Sequence, residues 1–306
     1  MSDTRQNMNW LTFSGLMFAI LLVGIVITPA NYAEYFLKQP GLVLAGCLAT
    51  LVSLLPSLWV IRKLDRRPYS WGLYAAVVLF VIAIAPLVSE VTWAVINRGV
   101  RYWQIVGFTE EFAKILPAII LMVAAPAMVR TTRDGIVIGA LAGLGFAIIE
   151  FGVGFALDNF PERGWHDLVV SLPGRWALGT QLHVIWGATT GGAIGYWREE
   201  PTSRKRILVM LAVIALVIIT HGAQDFMGKY IAPLSIGVVG GLLVNAGAPE
   251  TIFVEGGPAF VTLMVVGATI NALLINVAVL PVLWHLARKN RPQQINEDAI
   301  EEPGLA

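Results

Sequence analysis

Eight apolar runs of about 20 residues govern what this chain can fold into. They lie at roughly 10–28, 41–61, 71–96, 108–129, 136–156, 176–196, 207–228 and 259–286. A helix needs about 20 predominantly apolar residues to cross the hydrocarbon layer of a bilayer. Within lipid each backbone polar group must find its partner inside the segment, which a helix provides. The expected fold class is therefore all-α: a polytopic transmembrane helical bundle of about eight spans. Composition agrees, because only 13% of the 306 residues are charged and 57% are hydrophobic. A soluble domain carries about 25% charged residues. The run at 10–28 is longer than the apolar core of a secretory signal, so it reads as a first span.

Lys and Arg orient the bundle. With the N-terminus inside, the inner segments hold 14 of these residues and the outer segments 6, as expected when cationic loops stay cytoplasmic. Both termini are then cytoplasmic. Trp10, Trp71, Trp103, Trp176, Trp197 and Trp284 fall near the proposed span ends, the level that indoles prefer. The stretch 231–249 is apolar but carries Pro233, Asn245, Pro249 and four glycines. It reads as a re-entrant or extracytoplasmic segment, since a ninth span would put the basic tail outside. Residues 1–287 thus form one transmembrane domain, with a polar cytoplasmic tail at 288–306. The small-residue spacings Gly139/Gly143 and Gly187/Gly191/Gly195 predict close helix packing. The net charge of +1 implies no nucleic-acid partner. A lone cysteine, Cys47, excludes a disulfide within the chain.

The spans contain residues that lipid penalises. Glu90, Glu110, Glu111, Lys114, Glu150, His183, His221 and Asp225 all lie in apolar runs. Each such group costs about 2.5–3.5 kcal/mol at a helix centre, and function is the default reason for retaining one. In the inside-to-outside alternation, the fourth span carries Glu110, Glu111 and Lys114 in its outer part. Glu150 comes late in the fifth span, His183 early in the sixth, and His221 and Asp225 late in the seventh. Four helices of alternating direction thus deliver their polar residues to one depth. Spacings of three and four residues let Lys114 pair with either Glu111 or Glu110, and put His221 and Asp225 on one face. Asp225 is expected to hold the His221 ring in one tautomer, or to share an ion with it. Glu90 has no assigned role, and His166 and His285 fall at loop or interfacial positions. Asn271 reads as interhelical glue.

These residues resemble a known group. Glu110-Glu111-Phe112-Ala113-Lys114 looks like the Glu-Glu-x-x-Lys motif of the PrsW family of intramembrane proteases. Phe146-Ala-Ile-Ile-Glu150 is similar to its Phe-x-x-x-Glu motif, His183 stands where its lone histidine is expected, and His221-Gly-Ala-Gln-Asp225 resembles its His-x-x-x-Asp motif. The four occur in the family's order, and the motif-bearing core spans 107–228. The CAAX prenyl endopeptidases share a related Glu-Glu motif but carry Phe-x-x-x-His where this chain has Glu150. The resemblance implies an intramembrane endopeptidase in a bacterial-type cytoplasmic membrane. Its implied substrate is a membrane-anchored, anti-sigma-factor-like protein, cut near the extracytoplasmic face.

The implied catalytic set is Glu110, Glu111, Lys114, Glu150, His183, His221 and Asp225. Peptide hydrolysis here calls for an activated water and an oxyanion stabiliser, because no serine or cysteine in the cluster has a basic partner. Two versions stand open. In one, His183, His221 and a carboxylate, Glu150 or Asp225, hold a divalent ion, zinc first among candidates, while Glu110 or Glu111 acts as base. In the other, a glutamate takes the proton without a metal and a histidine stabilises the oxyanion. No His-Glu-x-x-His motif is present. The competing function is an ion- or proton-coupled transporter using the same charges.

Overall fold

Local sequence signals place the helix ends. Ser70 accepts a hydrogen bond from the Leu73 amide and starts a helix that runs from Trp71 to Ile96. Thr131 and Asp134 cap each other's backbone amides and start the helix at Thr132. A computed structural model describes residues 40–65, 69–154, 179–226, 245 and 276–289. Among these, the regular elements are all helical: α1 Pro40–Leu64, α2 Trp71–Ile96, α3 Tyr102–Ala124, α4 Thr132–Ala147, α5 Thr180–Arg198, α6 Arg204–Phe226 and α7 Val279–Lys289. A π-helical segment, Ile148–Gly154, continues α4. The expected first span, the segment 231–249 apart from residue 245, most of 259–286, and His166 and Asn271 lie outside the described residues.

Three helices are long and apolar enough to cross a membrane: α2, α4 with the start of its π-helical extension (Thr132–Phe151), and α6. The described residues are thus helical, with three candidate membrane spans. α3 departs from the expected run at 108–129. It starts at Tyr102, where the Arg101 amide donates to Gln104 Oε1 at 3.0 Å. It stops at Ala124, because Ala125 precedes Pro126 and the proline ring disfavours helical geometry in the residue before it.

α4 is the central helix. Nearly all its residues are buried, with α1, α2, α3 and α5 packed around it. Leu44, Leu48, Val52, Leu208, Leu211 and Ile219 on the peripheral helices α1 and α6 are exposed, the surface expected where lipid is the solvent. The α4–α5 seam is made of glycine. A Cβ added at Gly135 would lie 2.0 Å from the Gly191 carbonyl oxygen, at Gly139 2.0 Å from that of Gly187, and at Gly143 2.0 Å from that of His183. No other residue lets two helix backbones touch at this separation, and the expected close packing is present. Gly107 does the same between α3 and α6, where a Cβ would meet the Ile218 carbonyl oxygen at 2.4 Å.

One end of the bundle is fastened by polar contacts. Asp65 accepts from the Tyr69 amide at 2.8 Å and the Tyr74 hydroxyl at 2.7 Å. The Tyr69 hydroxyl donates to the Met128 carbonyl. Glu199 accepts from the Thr132 amide at 2.9 Å and hydroxyl at 2.7 Å, and from Arg206 at 2.9 Å. α2, α4 and α6 begin at this end and α3 and α5 finish here, so the residues of interest gather at the other.

Candidate active site

Each contributing helix reaches the site for a reason visible in its own sequence. Glu110, Glu111 and Lys114 occupy successive turns of α3, and the Thr92–Thr109 hydroxyl pair at 2.7 Å joins α3 to α2 just before them. Glu150 lies in the π-helical segment beyond α4. His183 sits in the first turn of α5, with its backbone against Gly143. His221 lies near the end of the buried stripe of α6, its Cβ 3.4 Å from where a Cβ on Gly107 would stand.

The side chains meet in one buried network. Lys114 and Glu111 are fully buried, and Lys114 Nζ donates to Glu111 Oε1 at 2.7 Å. It also donates to His183 Nδ1 at 2.8 Å. A lysine ammonium has no acceptor, so His183 Nδ1 must be the unprotonated ring nitrogen and Nε2 carries the hydrogen. That nitrogen faces Glu150 Oε2 at 2.6 Å. His221 Nδ1 donates to the same Glu111 Oε1 at 2.9 Å. Its Nε2 is then a bare lone pair, 3.3 Å from Glu110 Oε2 and 4.0 Å from Asp225 Oδ2. Lys114 lies 3.9 Å from the same Glu110 oxygen, beyond hydrogen-bond reach.

Aromatic rings enclose the histidines. Trp186 stacks on His221 with centroids 4.2 Å apart and meets the His183 ring edge-on at 5.5 Å. Phe146 and Phe151 each stand 5.5 Å from His183. Lys114 Nζ lies 4.6 Å above the Phe146 ring. The Trp186 indole N–H donates to Asn276 Oδ1 at 2.8 Å, and both residues are buried.

Two sequence-based expectations change here. Asp225 does not orient His221: Glu111, from a different helix, holds the ring through Nδ1, while Asp225 remains at ion-pair distance from Nε2. The histidines' nearest shared carboxylate is also different. Ligand atoms of Glu110, His183 and His221 all lie within 4.8 Å of one another, whereas the expected metal set was His183, His221 and Glu150 or Asp225. Glu150 and Asp225 stand beside that group, each against one histidine.

The Glu110–His183–His221 set fits a divalent ion chemically. Glu110 Oε2 is buried without a hydrogen-bond donor and faces the lone pair of His221 Nε2. Two buried acceptors 3.3 Å apart repel unless a cation or proton lies near both. Two imidazoles and one carboxylate are a familiar catalytic zinc donor set.

Of the other residues noted in the sequence, His285 is exposed on α7. Among the described residues no hydrogen bond or ion pair joins half-buried Glu90 to the cluster. Sequence reasoning did not single out Trp186 or Asn276. The available signal was an indole three residues beyond His183, inside an apolar helix rather than at a span end.

Comparison with known proteins points to a protease family. The family model described as PrsW family intramembrane metalloprotease matches residues 68–248, more than half of the chain and all of the described cluster. The chain is 28% identical over 131 residues to the protein named Protease PrsW from Shouchella clausii (strain KSM-K16). That alignment covers 43% of this chain and 55% of the relative, so the match spans about half the length of that protein. No solved structure matches the chain. A proteolytic family gives the transporter alternative no support.

Proposed function

This chain belongs to the PrsW family of intramembrane metalloproteases, and from that premise we propose that it is an endopeptidase cutting a membrane-anchored protein substrate. The observation that carries the reading is the convergence of Glu110, His183 and His221 on one small volume at one end of the bundle. In the orientation set by the Lys and Arg distribution, with both termini cytoplasmic and about eight spans, that end faces the extracytoplasmic side. The substrate is then a single-span or membrane-near protein of the anti-sigma-factor type, cut close to the outer surface of the cytoplasmic membrane.

Glu110, His183 and His221 would hold a divalent ion, zinc first, which would supply Lewis acidity toward the scissile carbonyl and toward water. The remaining residues have roles of their own. Glu111 accepts a hydrogen bond from His221 Nδ1–H and so turns Nε2 toward Glu110, the carboxylate–histidine arrangement that orients metal ligands. Lys114 neutralises Glu111 and pins His183 through Nδ1. His183 joins a ligand set by giving up its Nε2 hydrogen, for which Glu150 Oε2 at 2.6 Å is the adjacent acceptor. Glu150 is also the most accessible carboxylate of the cluster, with its side chain 35% exposed. The proton taken from His183 passes from Glu150 to solvent, and the carboxylate so restored serves as general base toward the attacking water, then gives the proton taken from water to the departing amine. Asp225, 31% exposed, lines the same approach. Trp186 and the two phenylalanines keep water away from the inner faces of the histidines.

The test uses full-length protein in liposomes with a single-span reporter, cleavage being mapped by mass spectrometry and metal measured by elemental analysis. Wild type should cleave near the outer membrane surface and hold about one divalent ion per chain, and a His183→Ala/His221→Ala variant should do neither. Equal metal content in both, or cleavage by the variant, would overturn the assignment.

A further inference from the structure

At the end of the bundle opposite the protease cluster, we propose that Arg130 and Arg198 form a binding site for a phosphate-bearing anion. They line a cavity of about 360 Å³ together with Pro126, Ala127 and Glu199. The pocket lies beyond the end of α3 at Ala124, where residues of the following turn, Pro126, Ala127 and Arg130, meet Arg198 and Glu199 at the end of α5.

The charges around this cavity do not balance internally. Glu199 is its sole acidic lining residue, and it is already committed. Its Oε1 accepts from the Thr132 amide and hydroxyl, and its Oε2 accepts from Arg206. Arg206 also takes Glu200 at 3.2 Å and the Tyr196 carbonyl at 2.8 Å. Among the described residues no ion pair joins Arg130 or Arg198 to a carboxylate. Arg198 Nε is shielded from solvent and has no acceptor. A guanidinium donor held away from water and left unpaired is costly. An anion bound beside Arg198 removes that penalty, and exposed Arg130 on the same pocket adds a second positive charge. Phosphate suits the site because its oxygens match the fork of an arginine in pairs, and two arginines can share one tetrahedral group. Pro126 and Ala127 offer no side-chain donors, so the two arginines supply the recognition.

The cavity opens at a span end, in a chain whose neighbouring α6 begins Arg204-Lys205-Arg206. The phosphate can therefore belong to the headgroup of an anionic lipid or to a free ion, and one experiment separates the sources. Full-length protein is placed in nanodiscs of phosphatidylcholine with or without phosphatidylglycerol, and retained lipid is counted by native mass spectrometry after release into detergent. In parallel, inorganic phosphate is titrated against the thermal midpoint in detergent, with chloride at matched ionic strength as control. The variants are Arg130→Gln/Arg198→Gln, the charge-preserving Arg198→Lys, and Arg204→Gln as a basic residue outside the cavity.

Wild type should retain phosphatidylglycerol at least tenfold more than the double glutamine variant, with Arg198→Lys between them and Arg204→Gln within twofold of wild type. A saturable midpoint shift with phosphate alone would identify the free ion as sufficient, and retention without that shift would identify the headgroup. Equal losses in the double variant and in Arg204→Gln would reduce the effect to general attraction by a basic face and overturn the proposal. If the double variant does not fold, wild type that shows neither retention nor a phosphate shift overturns it equally.

Discussion

Replacing Gly143 with alanine should damage the active site much more than the same replacement two turns away. A Cβ at Gly143 would lie 2.0 Å from the His183 carbonyl oxygen and 2.6 Å from its carbonyl carbon. Backbone cannot swing aside as a side-chain tip can, so α4 and α5 must separate. Ordinary contact is near 3.5 Å, so relief requires about 1.5 Å of movement. His183 travels with α5. Its Nδ1 bond from Lys114, now 2.8 Å, would stretch past 4 Å and cease to be a hydrogen bond. Overpacking of this kind costs about 1–3 kcal/mol, and misplacement of a reacting group by about 1 Å can cost ~100-fold in rate. Gly135→Ala meets an equal clash, 2.0 Å from the Gly191 carbonyl, but eight residues away, about 12 Å along the helix. Both variants should lose similar thermal stability in detergent, and Gly143→Ala alone should lose about 100-fold in cleavage of a liposome-reconstituted reporter. Gly41→Ala, with nothing within 4 Å, is the neutral control. Equal activity losses in Gly143→Ala and Gly135→Ala would refute the claim that this contact positions His183.

Other substitutions test the network itself. Glu111→Gln leaves Lys114 buried beside a neutral partner and should destabilise by about 3–5 kcal/mol while abolishing cleavage; unchanged thermal unfolding would contradict the buried pairing. Trp186→Phe retains a ring over His221 but removes the indole donor to Asn276 Oδ1, and should cost about 0.5–1.5 kcal/mol, the net worth of one hydrogen bond. Metal affinity in Trp186→Phe should exceed that in Trp186→Ala, and equal affinity in the two would remove the stacked ring from the positioning of His221. Glu110→Gln should lower bound metal several-fold by elemental analysis, whereas Asp225→Asn should change it less, and the reverse order would reassign the carboxylate ligand.

Much of this arrangement was legible because lipid makes polar residues conspicuous. Any Glu, Asp, Lys or His inside an apolar run carries an insertion cost, so eight candidates, the catalytic seven and Glu90, could be selected without coordinates. Alternating helix direction then placed them at one depth. Helix limits were less legible at the ends of α3, where a proline after Ala125 and a glutamine side chain at Gln104 outweighed hydropathy. The partners of His221 were the least legible. A spacing of four residues made Asp225 the obvious neighbour, yet the ring lies against a carboxylate of another helix.

Sequence alone determined which residues are costly in the membrane, at which level they sit, and which family motifs they make. These follow from one-dimensional order, since depth along a helix rises by a fixed amount per residue. Tertiary structure alone decided that Glu111 orients His221, that Glu110 completes the candidate ligand set, and that Trp186 backs it. Such pairings depend on the rotation and separation of neighbouring helices. Here backbone contacts at Gly107 and Gly143 set both quantities at the site, to a precision that spacing along a single helix does not encode.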